Sequence, residues 1–180
     1  MLFHPKPSSL SPAWLFLFYK LMKEIQLTQG KVALVDDEDF EYLNQWKWYA
    51  RKCRDKFYAQ RHIKVNGNDT TIPMHRQIIN PIKGMVIDHI NRDTLNNCKD
   101  NLRECTNGEN MKNRSIYKNN KSGYKGIRFI EKSKKWIVVI TNNTKKIHIG
   151  YFVHLKNAIK AYNKAAVKYH GEFANLNKID

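Results

Sequence analysis

The sequence predicts an α+β chain in two successive parts. A β–β–α unit preceded by an antiparallel β region comes first, and a three-stranded antiparallel sheet packed by one α-helix follows. Three observations carry this. Short β-branched and aromatic runs, punctuated by turn residues, recur between residues 31 and 90 and again between 124 and 152, the pattern of half-buried strands. Leu155, Ala158, Ile159, Tyr162, Ala165, Ala166 and Tyr169 then fall at helical spacing, which makes one apolar stripe. Charge divides the chain at the same place: residues 111–177 carry fifteen Lys/Arg against Glu131 and Glu172 only, a net of +13 out of the whole chain's +16. With 180 residues and 42% hydrophobic content, there is material for one domain or two small ones.

In chain order, "KVALV" (31–35) reads as a short buried strand, and "DDEDFEYLNQ" (36–45) as a short helix whose acidic first turn suits its N-terminus,. "WKWYARK" (46–52) and "FYAQRHIKV" (57–65) form an antiparallel pair, "NGND" (66–69) turns, and "TTIPM" (70–74) returns as another strand,. "HRQII" (75–79) is a short helix ended by Pro81,. "MVIDHI" (85–90) and "LRECT" (102–106) are strands separated by the polar loop "NRDTLNNCKDN", whose residues close turns onto their own backbone. Thr106 and Glu109 form a T-x-x-E capping box, so a helix starts there and runs to about Arg114,. After a polar hinge (118–123), strands 124–130, 135–141 and 145–152 precede the final helix.

Residues 1–21 change composition sharply at Met22. They are expected to be an upstream extension, the alternative being a helix docked through Trp14, Leu15 and Phe18. Their apolar run "WLFLFYKLM" is far too short to span a bilayer,, and no small-residue cleavage site follows it. Cys53, Cys98 and Cys105 are odd in number and contain no C-x-x-C. This argues against a disulfide framework and for a reducing compartment. Their spacing relative to His75 and His89 matches no zinc pattern, so Cys98 and Cys105 are expected as small buried residues.

The chemistry concentrates around Asp88 and His89. A carboxylate is a hard oxygen ligand for Mg²⁺ or a similar ion, and an imidazole with an ordinary pKa near 6.5 takes a proton from water at neutral pH. Asn110, in the first turn of the capped helix, offers a second oxygen ligand; Asn113 and Arg114 follow about one turn on,. An aspartate beside a histidine is common on its own, and asparagine clusters usually mean turns. The joint pattern raises the functional reading.

The segment "HRQIINPIKGMVIDHINRDTLNNCKDNLRECTNGENMKNR" resembles the HNH endonucleases of the phage and homing type, through "DHIN", "NLR", T-x-x-EN and a final Asn. The resemblance implies a ββα-metal fold, with His89 as general base and Asp88 and Asn110 as ligands of one divalent ion. Asn101 corresponds to a loop-pinning structural asparagine, and Asn113 and Arg114 to weaker candidates for phosphate contact. His75 and Arg76 match a recurrent upstream pair whose role stays open. Because the last position is Asn where some members carry His, Mg²⁺ or Mn²⁺ is expected rather than Zn²⁺.

Residues 122–177 resemble the Apetala-type (ethylene-response-factor) DNA-binding domain through "YKGIR", "KWIVVI", "IGYF", "AYNKAA" and a terminal G-x-x-A-x-LN. That family lays its sheet in the major groove. The resemblance makes Lys125, Arg128, Trp136, Thr141, Lys146 and His148 the candidate positions for DNA contact, Trp136 being equally a candidate for the core. Arginine reads guanine bidentately whereas lysine mostly grips phosphate, so base preference does not transfer where this chain has Lys, Thr or His.

The expectation is therefore an HNH nuclease domain at 22–114 (ββα core 85–114), a linker at 115–123 and a sheet-based DNA reader at 124–177. The activity expected is metal-dependent hydrolysis of double-stranded DNA, one strand per site, by a monomer or weak dimer. The setting is the cytoplasm of a bacterial host, with the chain phage-encoded, not secreted and not in a membrane. The alternative is a non-enzymatic DNA-binding regulator on an HNH-like scaffold.

Overall fold

The computed structural model describes residues 21–179, so the extension expected at 1–21 lies, but for Leu21, outside the described residues. The chain divides into two compact units, one of residues 21–78 with 94–100 and one of residues 79–93 with 101–179.

The first unit begins with a hairpin that the sequence reading lacked. β1 (Met22–Gln26) pairs antiparallel with β2 (Val32–Asp36), Ile25 opposite Ala33 and Lys23 opposite Val35. α1 (Asp37–Leu43) follows with Asp37, Glu38 and Asp39 in its first turn, where the exposed N–H groups favour anions. Trp46 and Trp48 precede rather than join the next strand, and the Trp48 indole donates to Leu43 O at 2.8 Å. β3 (Tyr49–Cys53), β4 (Lys56–Val65) and β5 (Asn68–Pro73) form a meander. Its second turn is confined to Asn66 and Gly67, both at positive φ, the two-residue hairpin that Asn-Gly favours. α2 (Met74–Ile79) closes the unit over a core of Ile25, Ala33, Val35, Leu43, Trp48 and Met74.

The loop 94–100 is not a free connector. Leu34 N donates to Leu95 O at 2.9 Å and Asn97 N to Leu34 O at 2.7 Å, a parallel bridge that docks the loop on β2. Lys99 N also donates to Asp36 Oδ2 at 2.8 Å. Several carboxamides of the Asn-rich loop fold back locally, as at Asn97 Nδ2 to Leu95 O, 3.1 Å, and Cys98 N to Asn96 Oδ1, 3.2 Å,.

In the second unit β6 (Val86–His89) and β7 (Leu102–Cys105) form an antiparallel pair, followed by α3 (Asn107–Lys112). β8 (Ile127–Ile130), β9 (Lys135–Asn142) and β10 (Lys145–Phe152) then run as an antiparallel meander with β9 central and a bulge between His148 and Gly150. α4 (Leu155–His170) packs one face, burying Ala158, Ile159, Tyr162, Ala165 and Ala166 against Ile127, Val138 and Ile140. β8 is shorter than the strand expected from residue 124. Gly126 sits at φ +70°, and a Cβ there would strike the Tyr162 ring and lie 2.6 Å from Val139 O. Only glycine fits this approach. The mixed α+β class with antiparallel sheets agrees with the sequence expectation.

Candidate active site

Asp88 and His89 close β6, opposite Arg103 and Leu102 of β7, and both are buried, 6% and 5% exposed. A buried carboxylate persists only when paired. Arg103 supplies the pairing: its Nε and Nη2 donate to Asp88 Oδ2 at 3.0 and 2.7 Å. The Asn113 amide supplies the rest. Its Nδ2 lies 3.0 Å from both Asp88 oxygens, 3.1 Å from His89 O and 3.2 Å from Ile90 O. All four neighbours are acceptors, so only the nitrogen end of that amide can face them. Oδ2 thus receives both Arg103 donors, while the two oxygens share the Asn113 amide. Oδ1 is the oxygen with lone-pair capacity left for a cation.

α3 carries the remaining candidates because its start is fixed. Glu109 N donates to Thr106 Oγ1 at 3.2 Å, while the Glu109 carboxylate accepts from Thr106 N and Oγ1, each at 2.8 Å. The expected capping box is present. These bonds, the backbone one first, hold the Glu109 carboxyl below its ordinary range. Asn110, half-buried, lies in the next position, and Asn113 follows as the C-cap residue, buried against Asp88. The structure therefore gathers Asp88, Arg103 and Asn113 by direct contact, with Asn110 on the same short helix.

Asn101 lies across the base of the loop: its Oδ1 accepts from Asn91 N at 2.9 Å and its backbone O from Ile90 N at 2.8 Å. The Arg114 side chain folds onto Tyr117, with Nη1 3.2 Å from its hydroxyl and the guanidinium 4.9 Å from its ring. His75 and Arg76 lie on α2, in the first unit. Cys98 and Cys105 are buried free thiols, as expected, and Cys53 is exposed. Burial first, then the Asp88 carboxylate, push the Cys105 thiol up. Among the described residues one cluster of three possible metal donors occurs, Asp36, Glu38 and Asp39. The Lys99 ammonium already sits on it, 2.7 Å from Glu38 and 2.9 Å from Asp39.

The expected DNA contacts separate into two groups. Strand alternation and register put Arg128, Thr141, Lys146 and His148 on the sheet face away from α4, in line with Tyr151. Arg128, Thr141, Lys146 and His148 are exposed. Trp136 lies on the other face: it pairs with Phe129 and Phe152 and packs on the α4 core. Lys125 is also corrected. Its ammonium donates to Lys112 O and to Arg114 O, the latter at 2.9 Å. Burial, then Arg92 and Arg114, bring its pKa down to about 8.

Sequence reasoning missed Arg103. The signal was present, since the two strands predict a hairpin in which a residue near 103 faces residue 88. It read the segment 171–177 only as the end of the Apetala-type resemblance, whereas its Asn175 and Asn177 bond α3's end and Lys125.

Comparison with known proteins bears directly on this site. The sequence profile of the HNH endonucleases matches residues 80–112, the stretch holding β6, β7 and α3. The chain is 29% identical over 164 residues to an uncharacterized HNH endonuclease, L560, of Acanthamoeba polyphaga mimivirus, covering 84% of this chain and 78% of that protein. It is 32% identical over 129 residues to Protein 3.8 of Escherichia phage T7, covering 70% of this chain and 98% of the phage protein. The structure of the HNH homing endonuclease I-HmuI, described for DNA binding and cleavage, aligns over 83% of this chain and 91% of that one, at 17% identity and a TM-score of 0.32.

Proposed function

Because this chain belongs to the HNH endonuclease family, we propose that it is a metal-dependent DNA endonuclease whose hydrolytic centre is built on Asp88, His89 and Asn110. The observation that carries this is the Asp88 carboxylate: buried on β6, with Oδ2 saturated by Arg103 and Asn113 and Oδ1 left with accepting capacity. Asp88, through Oδ1, and the Asn110 amide oxygen are the residues that would hold a divalent ion, Mg²⁺ or Mn²⁺. Such an ion, when bound, supplies charge neutralisation at the scissile phosphate and the leaving oxygen.

The chain's own residues do the rest. His89, as general base, takes a proton from the attacking water. Asn113 holds the Asp88 carboxylate in place, and Asn101 keeps the loop after His89 closed. The capping box fixes the first turn of α3, and with it Asn110. The C-terminal module supplies the DNA contact: Arg128, Thr141, Lys146 and His148 form its interacting face, and the Apetala-type resemblance together with the charge of residues 111–177 supports this. One centre of this kind cuts one strand, so a monomer nicks. The viral relatives support a phage-type enzyme working inside an infected cell. No helix among the described residues is long and apolar enough to cross a membrane.

Supercoiled plasmid incubated with the protein in Mg²⁺ or Mn²⁺ tests the reading. Conversion to the open-circular form, abolished by EDTA, is expected; unchanged plasmid in both metals would refute it.

A further inference from the structure

The two residues that fix the Asp88 carboxylate are themselves fixed by the chain beyond α4. The Arg103 guanidinium uses Nε and Nη2 on Asp88, and turns Nη1 to the backbone oxygen of Glu172 at 2.7 Å. Its cationic carbon lies 3.9 Å from the centre of the Phe173 ring, within the range of a cation–π contact. Phe173 is buried, and the Arg103 side chain is only 12% exposed. The Glu172 carboxylate is 3.8 Å away but 75% exposed, so its charge adds little. On the other side, Asn175 Nδ2 donates to Asn113 O at 3.2 Å and Arg114 O at 2.8 Å. Its Oδ1 accepts from Arg92 Nη1 at 3.0 Å. The end of α3, from which the Asn113 amide reaches Asp88, is thereby tied down.

We infer that the segment 171–175 is a working part of the nuclease centre, and that Arg103 is a positioning residue that transmits its placement to Asp88. By saturating Oδ2 from one edge, the guanidinium decides which oxygen of Asp88 stays open. A guanidinium can do this only if it cannot swing, and Glu172 O and Phe173 remove that freedom. Lysine at 103 would keep the charge but lose both the two-nitrogen grip and the ring contact. This inference rests on the proposed role of Asp88 as a metal ligand. It adds that the C-terminal module, beyond contacting DNA, shapes the centre that cuts it.

The test uses the full chain in three forms: unaltered, Arg103→Lys and Phe173→Leu. Mn²⁺ binding is followed by electron paramagnetic resonance without DNA, nicking is followed under saturating plasmid, and folding by circular dichroism. Removing a partner of a metal ligand typically costs 10- to 100-fold in affinity or activity. Both variants are therefore expected to stay folded at 25 °C, to bind Mn²⁺ about tenfold more weakly and to lose kcat by at least that factor. KM for DNA should move less than about twofold. Phe173→Leu, a change at a buried ring that meets the Arg103 guanidinium, keeps the test open if Arg103→Lys does not fold. Variants that lower only the melting temperature, with Mn²⁺ affinity and kcat unchanged, would overturn the inference while leaving the nuclease reading intact. Unaltered protein that binds no Mn²⁺ and nicks nothing would overturn both.

Discussion

Asn113 and Asn110 sit three residues apart on one short helix and carry the same amide, yet the structure gives them opposite demands. The Asn113 nitrogen faces four acceptors: both Asp88 oxygens, His89 O and Ile90 O. Asn113→Ala removes a donor from a buried charged group, which costs about 2 kcal/mol. Asn113→Asp removes the same donor and sets a second carboxylate about 3 Å from the first. At an effective dielectric of about 20, two unit charges at that distance repel by roughly 5 kcal/mol. Arg103, bonded to Asp88, offsets part of this, so the total for Asn113→Asp is expected near 4 kcal/mol at pH 7.5, against about 2 for Ala. The introduced carboxyl binds a proton more readily in the fold than in the unfolded chain. Its penalty therefore shrinks as the pH falls toward 5. Asn110→Asp, with no such acceptor cage, is expected to change stability by less than about 0.5 kcal/mol and to strengthen Mn²⁺ binding. Urea denaturation of the four proteins at pH 7.5 and 5.0 measures the stabilities, and electron paramagnetic resonance the Mn²⁺ affinity. Asn113→Asp no less stable than Asn113→Ala at pH 7.5 would refute the assignment of the Asn113 nitrogen to Asp88.

Three further outcomes are expected. Gly126→Ala, which meets both a positive φ and the Tyr162 ring, should cost about 3 kcal/mol by thermal or urea unfolding, whereas Gly67→Ala, strained but open, should cost about 1. Lys125 has its pKa lowered to about 8 by burial and two arginines. Between pH 8 and 10.5 the unfolded chain then holds a proton that the folded one has released, so folding stability should gain with pH across that window. Lys125→Met should remove that gain in melting scans from pH 7.5 to 10, and equal slopes would contradict it. Arg128→Ala and Lys146→Ala should each weaken DNA binding in gel shifts and make its salt dependence shallower by about one unit of log–log slope, while Trp136→Phe should leave that slope unchanged.

Much of this architecture could be read from residues alone. The T-x-x-E box at Thr106 fixed the start of α3 because capping is local chemistry, and the spacing from Leu155 to Tyr169 announced α4 because an amphipathic stripe needs no partner to be visible. β1 was missed because "MKEIQ" buries only Ile25 and draws its pairing from β2, a tertiary cause. Loop 94–100 was read as part of a polar loop closing turns onto its own backbone, but that backbone also pairs with Leu34, which no propensity reports. At the site, the Asp–His pair and the helix asparagines stood out as types, while their division of labour did not. That Asn113 points a nitrogen at Asp88 depends on carbonyls from two other residues. Lys125 and Trp136 were assigned to DNA by position in a resembling sheet. Side-chain register sends Trp136 inward, and two backbone carbonyls at the end of α3 take up the Lys125 ammonium.

In the proposed mechanism His89 takes the proton from the attacking water while the rest of the chain binds and positions. The most direct measurement is single-turnover cleavage of an end-labelled duplex in Mg²⁺ by the unaltered chain and by His89→Ala, with gel-shift binding followed in parallel. A rate loss of about 10²- to 10⁴-fold is expected in the variant, with duplex affinity unchanged within about twofold. Cleavage by His89→Ala at the unaltered rate would contradict it.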